Sequence, residues 1–225
     1  MAFRSGVLSL KDTITKSVHS VLSGRGGIAA TIQTFIVKVL IIAINMGTGV
    51  ITARFLGPAG RGELTAMLVW PQLLAFTLTL GLPKSIIYNF KKHPEEKPRL
   101  FSAALIMSAG LGVLASMIGV GLIPYVLTKY PPEVIRSAQW LMVMSPLTLL
   151  GLICSSSLEA ESDFTAANQL RYFVPLSTLA LLGGLILTTG VTSFNAALAY
   201  TLPSIPITLW ILVRLWRRYR PQWKN

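Results

Sequence analysis

The sequence predicts an all-α integral membrane protein of six transmembrane helices, with both ends inside the cell, and three observations carry that expectation. Of 225 residues, 52% are hydrophobic and only 12% charged, with a mean hydropathy of +0.63; soluble domains carry about 25% charge. Six apolar runs, each long enough to cross about 30 Å of hydrocarbon, fall at roughly residues 31–53, 64–90, 100–127, 140–158, 172–190 and 193–215. Lysine and arginine, which account for the net charge of +12, sit in blocks between those runs. A bilayer offers no water to backbone N–H and C=O groups, so runs of this kind fold as helices.

Residues 1–27 precede the first run. They are too polar and too long for a cleaved signal peptide. Val7, Leu8, Leu10, Ile14, Val18, Val21 and Leu22 recur at near-helical spacing with Lys11 and Lys16 among them, the pattern of an amphipathic helix lying on the membrane surface; the alternative is a disordered arm. The division expected is therefore a cytoplasmic arm (1–27), a six-helix membrane domain (28–216) and a basic tail (217–225). The second run holds Pro71 and Pro83 and is expected to kink. The fifth and sixth are separated only by residues near Gly190 to Ser193, a tight helical hairpin. Ser108, Gly112 and Ser116 give the third run a face on which another helix can pack closely. The single cysteine, Cys154, excludes an internal disulfide and a thiolate metal cluster.

Orientation follows from the basic residues. With the N-terminus inside, the inner segments hold Arg4, Lys11, Lys16, Arg25, Lys91, Lys92, Lys97, Arg99, Arg171, Arg214, Arg217, Arg218, Arg220 and Lys224. The outer segments hold only Arg54, Arg61, Lys129 and Arg136. That asymmetry satisfies the positive-inside rule.

The first run carries the most chemical information. Thr34, Lys38, Asn45, Thr48 and Thr52 stand at offsets that, at about 100° per residue, fall within about 40° of one line along the helix. Polar and ionisable groups inside a membrane are costly and face a cavity or the bundle interior; the alternative is that the threonines bond their own backbone and Lys38 snorkels to the surface. Lys84 follows the Gly81-Leu82-Pro83 break in the second run and is expected at a depth similar to that of Lys38. Two cations at one depth suit an anionic group such as a pyrophosphate, or else snorkel independently.

The residues that close the first run, Ala53-Arg54-Phe55-Leu56-Gly57-Pro58-Ala59-Gly60-Arg61-Gly62, resemble the A-R-x-L-G-P-x-G-x-G turn of the oligosaccharide flippases, the polysaccharide-transporter branch of the MATE-like superfamily that includes O-antigen flippases. Leu80-Gly81-Leu82-Pro83 is similar to the break in that family's second helix. The stretch from Leu158 through Glu159, Glu161 and Asp163 to Arg171 is similar to its inner loop between helices four and five. The likeness covers about residues 28–215. Locally, Gly57, Gly60 and Gly62 permit a compact reversal, and Pro58 suits position i+1 of a β-turn; Arg54 and Arg61 are read chiefly as parts of that turn.

The resemblance implies transport of a lipid-linked oligosaccharide across a bacterial inner membrane, with Lys38, Asn45, Thr48, Thr34 and Lys84 facing the lumen. The partners implied are a polyprenyl-linked glycan, membrane lipids and a second six-helix half, since members of the family have two halves around a central cavity. The chain is then a fragment, one subunit of a split transporter, or half of a homodimer. The alternative is a non-transporting membrane subunit, or an inactive remnant, in a polysaccharide-assembly complex. A cationic drug as cargo fits poorly beside a basic stripe.

Enzymatic function, cofactors, metal and nucleic acid are not expected. His19 and His93 lack suitable neighbours. Glu159, Glu161 and Asp163 read as a solvated acidic loop without an Asp-x-Asp or P-loop beside it. Ser155, Ser156 and Ser157 have no histidine context. No aromatics interleave Lys91 to Arg99.

Overall fold

A computed structural model describes residues 27–188 and 190–219. The amphipathic arm expected over 1–27, apart from Gly27, and most of the basic tail lie outside the described residues. Those described are helical throughout, without strands: α1 (Gly27–Thr77), α2 (Leu82–Lys92), α3 (Lys97–Val126), α4 (Pro132–Leu141), α5 (Ser145–Ala160), α6 (Phe164–Leu187), α7 (Ser193–Thr201) and α8 (Ser204–Tyr219). Short 3₁₀ turns, Pro94–Glu96 and Met142–Met144, precede α3 and join α4 to α5. Five helical stretches are long and apolar enough to cross a membrane: Phe35–Thr77, Pro94–Val126, Pro132–Ala160, Ala166–Leu187 and Ser193–Tyr219.

The first two apolar runs are therefore joined within one stretch. α1 spans 51 residues, and its single departure from helical geometry is Gly57, at φ 66° and ψ −177°. Only glycine enters that region at little cost. No β-turn forms at the Gly-Pro step. Helix resumes at Pro58, whose fixed φ and missing N–H suit the first turn of a helix. Gly60 and Gly62 are helical as well. The two arms fold toward each other: an Arg61 guanidinium nitrogen lies 3.6 Å from the Cβ position of Gly49, residues that twelve steps of straight helix would hold about 18 Å apart.

Pro71 lies inside α1 with helical backbone angles on both sides, Gly57 alone being non-helical within α1. The second run breaks later, at the turn 78–81, where Leu80 (φ 46°) and Gly81 (φ 79°) are left-handed. Pro83 then occupies the first turn of α2. The fourth run starts earlier than expected, at Pro132, and the fifth at Phe164. Asp163 caps α6 by accepting from the Ala166 N–H at 3.1 Å, which is why that helix begins before the apolar run does. The sixth run is interrupted at 202–203, beside Pro203.

Two cores hold these helices together. One gathers Leu64, Met67, Ile123, Leu127, Leu141, Met142 and Leu182 near the Gly57 end. The other gathers Phe90, Phe101, Ile153, Leu158, Ile211, Leu215 and Tyr219 toward the opposite end. α3 packs on the α4–α5 stretch through small residues: Ser108, Gly112, Ala115 and Gly119 are buried. A Cβ at Gly112 would overlap the backbone of Pro146. The Ser116 hydroxyl donates to the Met142 carbonyl at 2.7 Å, and the Gln139 amide to the Val120 carbonyl at 2.9 Å. Ser108, Gly112 and Ser116 thus form the close-contact face that their spacing predicts.

The outside is apolar. Phe35, Met46, Phe76, Ile106, Met117, Tyr125, Trp140 and Leu187 are all exposed, where a soluble monomer would bury most side chains of this size. Facing lipid, they carry no desolvation penalty. The molecule is a multi-pass helical membrane protein.

Candidate functional site

The polar stripe of α1 divides into two kinds of residue. Thr48 and Thr52 are buried, and their hydroxyls donate to backbone carbonyls of their own helix, at 3.0 Å to Asn45 and 2.9 Å to Thr48. Such back-bonding satisfies a hydroxyl without a cavity. Lys38 and Asn45, seven residues apart and so on one face, are exposed on an arm whose other exposed residues include Phe35, Val39, Ile42 and Met46. Lys38 makes no ion pair with any described residue. For Thr34 the helical backbone is described and its side chain is not. Lys84, in the first turn of α2, is likewise exposed and without an ion pair.

The Gly57 turn adds a residue that sequence reasoning assigned to the turn alone. Arg61 reaches back over Gly49, one helical turn from Asn45 on the first arm. The line from Lys38 through Asn45 therefore continues to a third polar group, a guanidinium, at the reversal. The turn at Gly57 is what brings Arg61, twelve residues on in the sequence, into van der Waals range of the Gly49 position. Arg54 is exposed and Pro58 borders a groove beside Arg61. The helix holding Glu63 is tied to α7 by the Ser193 hydroxyl, which donates to Glu63 Oε2 at 2.6 Å. Gly60 permits the approach of that serine, whose Oγ lies 3.2 Å from the Cβ position of Gly60.

The acidic loop departs most from expectation. Glu159, Glu161 and Asp163 form an ionic hub instead of a solvated loop. The Glu161 side chain is only 8% exposed and meets Lys97 at 2.9 Å and Arg218 at 2.5 Å, while Tyr219 donates its hydroxyl to it at 3.2 Å. Glu159 pairs with Arg171. Asp163 accepts from Arg214 at 3.2 Å. Arg214 also lies 5.6 Å from the centre of the Trp210 ring. Beneath the hub the Tyr219 ring packs against Phe90 and Phe101, with centroids 6.0 and 5.1 Å away. Cations from α3, α6 and α8 thereby converge on the α5–α6 connection. With each carboxylate occupied by a cation, the hub works as a clamp between helix ends. No group of three or more His, Cys, Asp or Glu residues placed to hold a metal ion occurs among the described residues.

No family profile, curated protein or solved structure matches this chain.

Proposed function

We propose that the chain forms the cationic wall of a membrane passage for a lipid-linked oligosaccharide, as a flippase or one half of one, in a bacterial inner membrane. In this reading it crosses six times, α1 contributing two passes through its reversal at Gly57, with the ionic hub on the inner side. The observation that carries the reading is the exposed line of Lys38 and Asn45, extended by Arg61. Polar groups at membrane depth demand a polar partner, and a basic line offers one to an anionic cargo such as the pyrophosphate of a polyprenyl-linked glycan. A second six-helix wall, from another chain or another copy, completes the passage.

Complementation of a flippase-deficient strain tests this. The chain, expressed alone or with a six-helix partner, restores surface polysaccharide, and Lys38→Gln together with Asn45→Ala abolishes the rescue while the protein still accumulates in the membrane. Full rescue by the double variant would sink the cationic-wall reading. Failure of the unaltered chain in both settings favours the other reading, a non-transporting subunit or inactive remnant of a polysaccharide-assembly complex.

A further inference from the structure

At the Gly57 end a groove of about 530 Å³ runs along the second arm of α1, lined by Pro58, Arg61, Thr65, Val69, Trp70 and, from beyond α3, Tyr130. We infer that this groove binds a phosphate-headed anionic lipid, with the phosphate on Arg61 and an acyl chain laid along the arm toward Trp70.

Three features select that occupant. The charge comes first. Arg61 is exposed, and no carboxylate pairs with it among the described residues; a guanidinium is a fork suited to phosphate oxygens. Next is position. The groove begins where the helical arms reverse and where α3 ends, with Leu127 and Tyr130 beyond its last turn; with α1 read as two passes, that is the level of lipid phosphates. Tyrosine and tryptophan belong to the same interfacial level. Shape is the third. From Arg61 to Trp70 is nine residues, about 14 Å of helix. Beyond the arginine the floor is buried Ala66 and Leu127 and the wall is exposed Val69. The Thr65 hydroxyl is already committed to the Arg61 carbonyl at 2.9 Å, and no lining residue other than Arg61 is charged, so the walls past the headgroup offer little to a free ion. A cation at the rim with an apolar furrow leading inward matches a lipid. This site shares Arg61 with the proposed passage but needs neither Lys38 nor Asn45, because it asks only for a phosphate and a chain.

The test is native mass spectrometry on the delipidated full chain in neutral detergent, titrated with phosphatidylglycerol and phosphatidylcholine. Phosphatidylglycerol is expected to bind at least about fivefold more tightly. Arg61→Gln removes that preference, Arg61→Lys keeps part of it, and Arg136→Gln, a cation outside the groove, leaves it intact. Thr65→Phe, which fills the furrow without touching the cation, weakens binding of both lipids. Equal affinity for the two lipids, or an unchanged preference in Arg61→Gln, would overturn the assignment. Displacement of bound phosphatidylglycerol by millimolar inorganic phosphate would also overturn it, in favour of a free-anion site. The complementation test varies Lys38 and Asn45 and leaves Arg61 in place, and Thr65→Phe blocks the furrow without removing a cation, so the two readings fail separately.

Discussion

Single residues in this protein act through what their absence of atoms allows. Gly57 has open space around it, so a Cβ there meets nothing, and its cost is purely that of a side chain held at φ 66°. Gly57→Ala is expected to destabilise by about 1–3 kcal/mol, measured by unfolding in a denaturing detergent titration. Gly112 is the opposite case. Its backbone is ordinary, yet an added methyl would strike the main chain of Pro146, whereas at Gly119 it would strike only the flexible end of Met142. Gly112→Ala should therefore cost more than Gly119→Ala, on the order of 1–3 kcal/mol for the former, in the same unfolding assay. Ser145 reverses the sign. Its hydroxyl is buried without a partner, so Ser145→Ala is expected to be neutral or to raise stability by up to about 1 kcal/mol. The Gly57 reversal was legible from the Gly-Pro pair. The orphaned serine was not, because it arises from how the Met142–Met144 turn meets α5, which no local pattern encodes.

Among elements, the ionic hub ties together helices separated widely in sequence, which meet on the carboxylates of the α5–α6 connection. Lys97 and Glu161 stand 64 residues apart, and Arg214 and Asp163 51. Removing Glu161 leaves Lys97 and Arg218 without their counter-charge beside a nearly buried site. Both cations are partly exposed, at 25% and 50%, so solvent offsets much of the loss. Glu161→Gln is expected to cost about 1–2 kcal/mol, while Glu95→Gln, in an exposed pair with His93, stays within about 0.5 kcal/mol. Equal effects in an unfolding titration would contradict the hub's role. The centres of the apolar runs were legible from composition, and so was the small-residue face of α3. Helix ends were less so: Asp163 starts α6 eight residues before its apolar run, whereas the break of the second run falls at the Gly81-Leu82-Pro83 step that the sequence marks. The hub itself was hidden because ion pairing depends on which helix ends become neighbours. Its trace in the sequence was only that Lys97, Arg171, Arg214 and Arg218 are all assigned to the same side as the three acids.

For the whole molecule, the hub and the Gly57 reversal mark opposite ends of the bundle, which makes orientation directly measurable. With buried Cys154 replaced by alanine, single cysteines report the side on which each end lies. Lys129→Cys, in the turn between α3 and α4, is expected to react with a membrane-impermeant maleimide in intact cells. Ser162→Cys, exposed in the α5–α6 turn, should react only after the membrane is opened. The reverse pattern would invert the topology and with it the side from which a cargo meets Lys38.

The reversal at Gly57 also bears on how the chain enters the bilayer. Its two arms have no polar loop between them: helix leads into a single bent residue and straight out again. A segment with so little slack has nowhere to pause between one crossing and the next. The stretch 27–77 should therefore be handed to the lipid as a prefolded pair, and an insertion at residue 57 long enough to part the arms would turn one concerted entry into two separate ones.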